Sequence, residues 1–161
     1  MTTVAATIID CLQANWGGGI TPLVGDIIWS DEWFRSRDDV RDMPQVTVTG
    51  PVSSRIRFFG PAVTGGVPAA GLHLFSFQHY RVNVWVTIPR GDYTVDESIY
   101  YTYAEDMRNE IVRILNEQRC SCYAAPLGIV IPLDEGVSRH EFNRTPRMLR
   151  YEILMQVNRK T

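Results

Sequence analysis

What this chain lacks narrows its chemistry before any motif is considered. Its sixteen basic residues include a single lysine, Lys160, and the rest are arginine. The glycine-rich stretch GGGITPLVGD at 17–26 therefore lacks the Gly-Lys-Ser/Thr ending that brings a lysine to a phosphate. There is no Gly-x-Ser-x-Gly elbow for a nucleophilic serine. Neither a Cys-x-x-Cys nor a His-x-x-x-His pair is present to begin a zinc site. His73 and His79 stand six apart on one strand, about 20 Å at strand rise, too far for one ion. The sequence thus offers no catalytic, cofactor-binding or metal-binding constellation.

Cysteine is scarce as well. Cys11, Cys120 and Cys122 are an odd set, which argues against a disulfide framework and for synthesis in a reducing cytoplasm. Cys120 and Cys122 follow the end of a predicted helix, where the dipole disfavours a thiolate, so they read as structural thiols and not as a redox pair. The N-terminal MTTVAATIIDCLQANW has no basic leader and no long apolar run, and reads as neither signal peptide nor anchor. No stretch approaches the roughly 18 apolar residues of a spanning helix, so no membrane partner is expected. With sixteen basic and eighteen acidic residues the net charge is −2, which gives no global attraction for nucleic acid. The arginines at 35, 37, 41, 139, 144, 147 and 150 are interspersed with acids, a pattern of solvated or protein-contacting surface.

What is present is the material of one domain. The chain has 161 residues, 45% of them hydrophobic and 21% charged, enough for a sizeable core. Residues 3–15 carry Val4, Ile8, Cys11, Leu12 and Asn15 at helical spacing, with Thr2 or Thr3 as the cap, and end at Trp16 and three glycines. A short strand is expected near 26–29. QVTVTG (45–50) and RIRFF (55–59) are separate strand candidates, and residues 35–44 read as solvated. The longest strand signal is LHLFSFQHYRVNVWVTIP (72–89), with Val82, Val84, Val86 and Ile88 on one face and Arg81, Asn83, Trp85 and Thr87 on the other. Tyr100, Tyr103, Ala104, Met107, Ile111, Ile114 and Leu115 form a continuous helical stripe, with Asp96 and Glu97 near its start and Arg119 near its end. A strand around 127–131 stops at Pro132 and the turn DEG. MLRYEILMQVNRK then alternates, with Leu149, Tyr151, Ile153, Met155 and Val157 on one face.

This pattern predicts a single α+β domain over residues 1–161. Two helices cover one face of an antiparallel sheet of about four to six strands, and the other face stays polar. Residues 72–89 overshoot the usual strand of about 5–6 residues, so they read as one arm of a long hairpin. The uncharged loop GPAVTGGVPAAG (60–71) lies near its tip. Aromatics at 29, 33, 34, 58, 59, 75, 77 and 85 exceed what one sheet face and two helices absorb, and Trp85 is expected on the face away from the main helix, in contact with another chain. The expected subunit contacts are therefore Arg55, Arg57, Phe58, Phe59 and Trp85, together with the loop residues Gly60, Pro61, Gly65, Gly66, Pro68 and Gly71.

The order of elements, carried by FQHYRVNVWVTIP, YTYAEDMRNEIVRILNEQ and MLRYEILMQVNRK, resembles the tail terminator (tail completion, or head–tail joining) proteins of tailed phages and related viruses. That resemblance implies a non-enzymatic virion protein made in the host cytoplasm. It implies a homo-oligomeric, usually hexameric, ring that caps the tail tube and contacts the neck or head-closure protein. In such a ring the polar strand face, with Arg81, Asn83, Thr87, Glu152, Gln156 and Asn158, would line a channel that DNA crosses only in transit. The loop at 60–71 would drape over a neighbouring subunit or the tube, its freedom limited by Pro61 and Pro68. Another neck or tail-tube component, or a small-ligand-binding α+β module, is the alternative.

Overall fold

In the computed structural model the described residues are 3–35, 42–59, 73–88, 97–118, 129–142 and 147–160, with side chains described over 3–35, 42–52, 78–88, 97–118 and 147–157. The chain is an α+β fold of helices α1 (Val4–Ala14) and α2 (Ser98–Glu117) and strands β1 (Ile28–Ser30), β2 (Gln45–Phe59), β3 (His73–Ile88), β4 (Ile129–Phe142) and β5 (Arg147–Lys160). A single sheet runs in the order β1-β2-β3-β5-β4. Every neighbouring pair is antiparallel except β1 with β2, which is parallel, so the sheet is mixed.

Each helix is specified locally and then held by packing. Thr3 caps α1, its Oγ1 accepting from the Ala6 backbone N–H at 3.1 Å. The helix ends at Asn15, just before the glycines that cannot continue it cheaply. Ala5, Ile8, Ile9, Cys11 and Leu12 are its buried residues. From α2, Ala104, Met107, Ile111, Ile114 and Leu115 are wholly buried, while Tyr100 and Tyr103 are half-buried. Glu97 stands at the N-terminal cap but makes no capping bond; its carboxylate accepts from Arg147 at 2.9 Å. Asp96 and Arg119 lie outside the described residues.

Both helices bury these stripes against one face of the sheet. Val46 and Val48 of β2, Tyr80, Val82, Val84, Val86 and Ile88 of β3, and Leu149, Tyr151, Ile153, Met155 and Val157 of β5 join them in one core. The period-two alternation of β3 and β5 is therefore the burial pattern of the folded chain. Burying an aliphatic side chain of this size stabilises by about 1.5–3 kcal/mol, which places most of the fold's stability in this layer.

Two strand expectations change. The two candidates at 45–50 and 55–59 are one strand, β2, interrupted by a register shift between Thr49 and Ser53. Gly50 sits in the shift at φ 146°, and a Cβ there would lie 2.8 Å from Tyr80 Cδ1 and 3.1 Å from the His79 carbonyl oxygen. Glycine is the residue that fits such a conformation and so close an approach. On the other side of the sheet β4 does not stop at Pro132 but continues to Phe142 past a shift between Pro132 and Val137. An edge strand tolerates a proline, because its outward N–H has no ladder partner to lose.

Candidate functional site

The sheet face opposite the helices was expected to be polar and open. Near β1 it is largely polar but it is not open. Gln45, Thr47, Asn83, Trp85 and Thr87 are all buried, with Trp85 only 2% exposed. The cause is the segment SDEWFR at 30–35, which leaves β1 and crosses back over this face. Trp33 meets Trp85 edge-on at a centroid distance of 4.9 Å, and Phe34 lies against it at 5.2 Å. The Arg150 guanidinium sits 5.1 Å from the Trp33 ring and 5.3 Å from the Trp85 ring, a cation–π contact to both.

Polar bonds fix the strap in place. The Gln45 side chain accepts from the Arg35 N–H at 2.9 Å and donates to the Arg35 carbonyl at 2.8 Å, reproducing a backbone pairing. Trp85 donates its indole N–H to Thr47 Oγ1 at 3.0 Å. Asn83 donates to Thr47 and Thr49 hydroxyls, each at 3.4 Å. Arg150 and Arg81 both engage Glu152, Arg81 at 3.4 Å.

Trp85 does face away from α2, as its position in the alternation requires, but its ring is covered by the chain's own Trp33 and Phe34 and is not offered to a neighbour. Asn83 and Thr87 are likewise corrected, since both are buried and do not open onto a channel. Arg81, with its side chain 42% exposed, and the half-buried Gln156 remain on the more open part of this face. Glu152 is largely covered, at 16% side-chain exposure, between Arg81 and Arg150. Trp33 keeps 51% of its surface exposed, so the exposed tryptophan is the covering one.

The other candidates gather at the far end of the sheet. Arg55, Arg57, Phe58 and Phe59 lie on β2 opposite Phe77, Phe75, Leu74 and His73 of β3. Asn158 lies on β5 between Phe77 of β3 and Ile129 of β4. The side chains of these residues, and all of Gly60, Pro61, Gly65, Gly66, Pro68 and Gly71, lie outside the described residues.

A second polar cluster, absent from the sequence reading, ties the helices together. Glu110 is 5% exposed within the apolar stripe of α2, accepts from the Gly17 backbone N–H at 2.8 Å and is paired with Arg113. Arg113 also donates to the Asn15 carbonyl at 3.0 Å, so one ion pair closes the last turn of α1. These bonds hold the Glu110 carboxyl below its ordinary range, the Arg113 hydrogen bond first, against the opposing effect of burial, with the Gly17 N–H adding to it. Arg113 is raised in turn, chiefly by its bond to Glu110. The available signal was the Glu110–Arg113 spacing of three residues beside Met107 and Ile114.

Among the described residues no group of His, Cys, Asp or Glu is placed to hold a metal ion, and no helix is long and apolar enough to cross a membrane. A scan against protein-family models matches no family, and no curated protein matches the chain.

Proposed function

We propose that this chain is a structural assembly protein that acts as a homo-oligomeric ring, in the manner of the tail terminators it resembles, capping a tail tube and joining it to the neck. Its work is contact, with no bond made or broken. The observation that carries the reading is the length of the central hairpin. Strands β2 and β3 have 15 and 16 residues, in register as far as Phe59 and His73, and are joined by the uncharged segment 60–71. A sheet of this reach, backed on one face by two helices, can set its helices outside a ring and its strands toward a channel.

In that arrangement the partners are further copies of the chain, the tube protein below and a neck or head-closure protein above. Arg81, Gln156 and Asn158 are the polar residues that remain for a channel through which DNA passes. A mixed lining suits passage without retention, because dense arginine would bind phosphate strongly. The location is the virion tail or neck.

Negative-stain imaging of the purified chain over a range of concentrations, with masses measured alongside, tests this reading. Closed rings with a central hole are expected. Long tubes would favour a tube protein, and a monomer that saturably binds a metabolite would favour a ligand-binding module. Phe58→Ser combined with Phe59→Ser is expected to impair assembly and leave the circular-dichroism spectrum of the monomer intact. A collapsed spectrum would place those rings in the core.

A further inference from the structure

Three buried polar atoms that make no hydrogen bond among the described residues lie together on the sheet face away from the helices: Asn83 Oδ1, Arg81 Nε and Arg150 Nε. Folded proteins pair the great majority of such atoms, so a cluster of them calls for a reason. The register shows why they gather. Asn83 on β3 stands directly across from Glu152 on β5, Arg81 is the next residue on that face of β3, and Arg150 is the next on that face of β5. Both guanidiniums reach the one carboxylate. Arg150 donates to Glu152 Oε2 through Nη2, and Arg81 Nε lies 3.4 Å from Glu152 Oε1 without completing a hydrogen bond. Two positive charges thus meet one negative charge, and among the described residues no second acid pairs with either arginine. Arg150 is largely shielded from water, at 12% side-chain exposure, so its charge depends on its partners for compensation. Asn83, fully buried, turns its Nδ2 to the Thr47 and Thr49 hydroxyls of β2, which leaves Oδ1 as an acceptor on the side of β5.

We propose that Arg81, Asn83 and Arg150 form a binding site for a hydrogen phosphate group, free or carried as a phosphate monoester. The complement of this cluster has to bring charged acceptor oxygens to two guanidinium N–H groups and a donor to one amide oxygen. A hydrogen phosphate carries both on a single tetrahedral centre, its P–O⁻ oxygens accepting and its P–OH donating. Sulfate, carboxylates and the phosphodiesters of a nucleic-acid backbone bring acceptors alone, and a metal cation is repelled by both arginines. The three atoms are closed to solvent in this arrangement, so a mobile side chain has to admit the ligand. Arg81 is that side chain. At 42% exposure it swings off Glu152 and closes on the phosphate. Arg150 is the fixed half of the site, its guanidinium held over the Trp33 and Trp85 rings. Discrimination against phosphodiesters is compatible with DNA passing the same face, and the site neither requires a ring nor excludes one.

Tryptophan fluorescence reads the binding, because Trp33 and Trp85 flank Arg150. Titrations near neutral pH are run at constant ionic strength, so that screening is the same in each. Inorganic phosphate and methyl phosphate should each give a saturable change, and the tighter of the two names the source. Sulfate and dimethyl phosphate should bind at least about ten-fold more weakly. Arg81→Gln, which removes a half-exposed charge, should keep the melting temperature of the parent and weaken phosphate at least about ten-fold. Glu152→Gln should act in the opposite direction and tighten phosphate, because it removes the carboxylate that competes for both guanidiniums. A residue with only a structural part would not shift affinity that way. If Glu152→Gln loses the circular-dichroism spectrum of the parent, Arg81→Gln and the sulfate comparison decide. No saturable change with phosphate, or sulfate bound as tightly as phosphate, would overturn the site. So would phosphate affinity that is the same in the parent and in every folded variant, which would mean an adventitious ion only.

Discussion

The two ends of the sheet are built on different terms. Near β1 the strands are covered on both faces, by the helices on one side and by Trp33 and Phe34 on the other, and the outer edge of β2 is occupied by β1. At the far end β2 and β4 run on, and among the described residues no strand pairs with the outer edge of either. One end satisfies its hydrogen-bonding and apolar surface within the chain.

Substitutions at the covered end should break the fold and not only the assembly. Trp85→Ala removes a buried ring and its bond to Thr47, and is expected to cost about 3–5 kcal/mol in denaturant unfolding. Trp33→Ala, which removes a half-exposed ring from the same contact, should cost much less. Equal losses would mean that the strap is as integral as the strand beneath it. At the boundary between the two ends, Gly50→Ala meets the His79 carbonyl and is strained at φ 146°, with an expected cost of about 1–3 kcal/mol by thermal melting. An unchanged melting temperature would show that the register shift between Thr49 and Ser53 is not held by this position.

A smaller, pH-dependent effect belongs to Glu110. Its carboxyl is depressed in the folded chain, so the unfolded chain binds more protons at low pH. The resulting stability is fully present above the ordinary glutamate value of about 4.3 and is lost as pH falls through the folded value. Glu110→Gln should therefore lower the melting temperature at neutral pH and flatten its fall toward acid. A parallel acid limb in parent and variant would show that the Gly17 and Arg113 bonds contribute nothing through this charge.

Much of the covered end was legible in the sequence because period carries it. Valines at every second position of β3 and the three- and four-residue steps of α2 place their residues inward without knowledge of any partner. The strap was not legible, since SDEWFR has no period, and what ties it down is the Gln45 side chain bonding Arg35, ten residues away in the sequence. The expectation of an open second face failed for that reason at Trp85, and Asn83 and Thr87 are buried as well. The continuation of β4 past Pro132 was likewise hidden, because whether a proline ends a strand depends on whether its hydrogen-free nitrogen faces a neighbouring strand. The strand edges that no described strand covers could not be inferred from composition at all. They follow from β1 stopping at Ser30 and from β4 standing last in the sheet.

The most direct test of this division is amide hydrogen exchange on the parent chain, followed peptide by peptide. The division predicts that the β2 amides at 45–47, where β1 pairs with the strand, exchange more slowly than those at 53–59 of the same strand. Equal protection along β2, or slower exchange at 53–59, would contradict it.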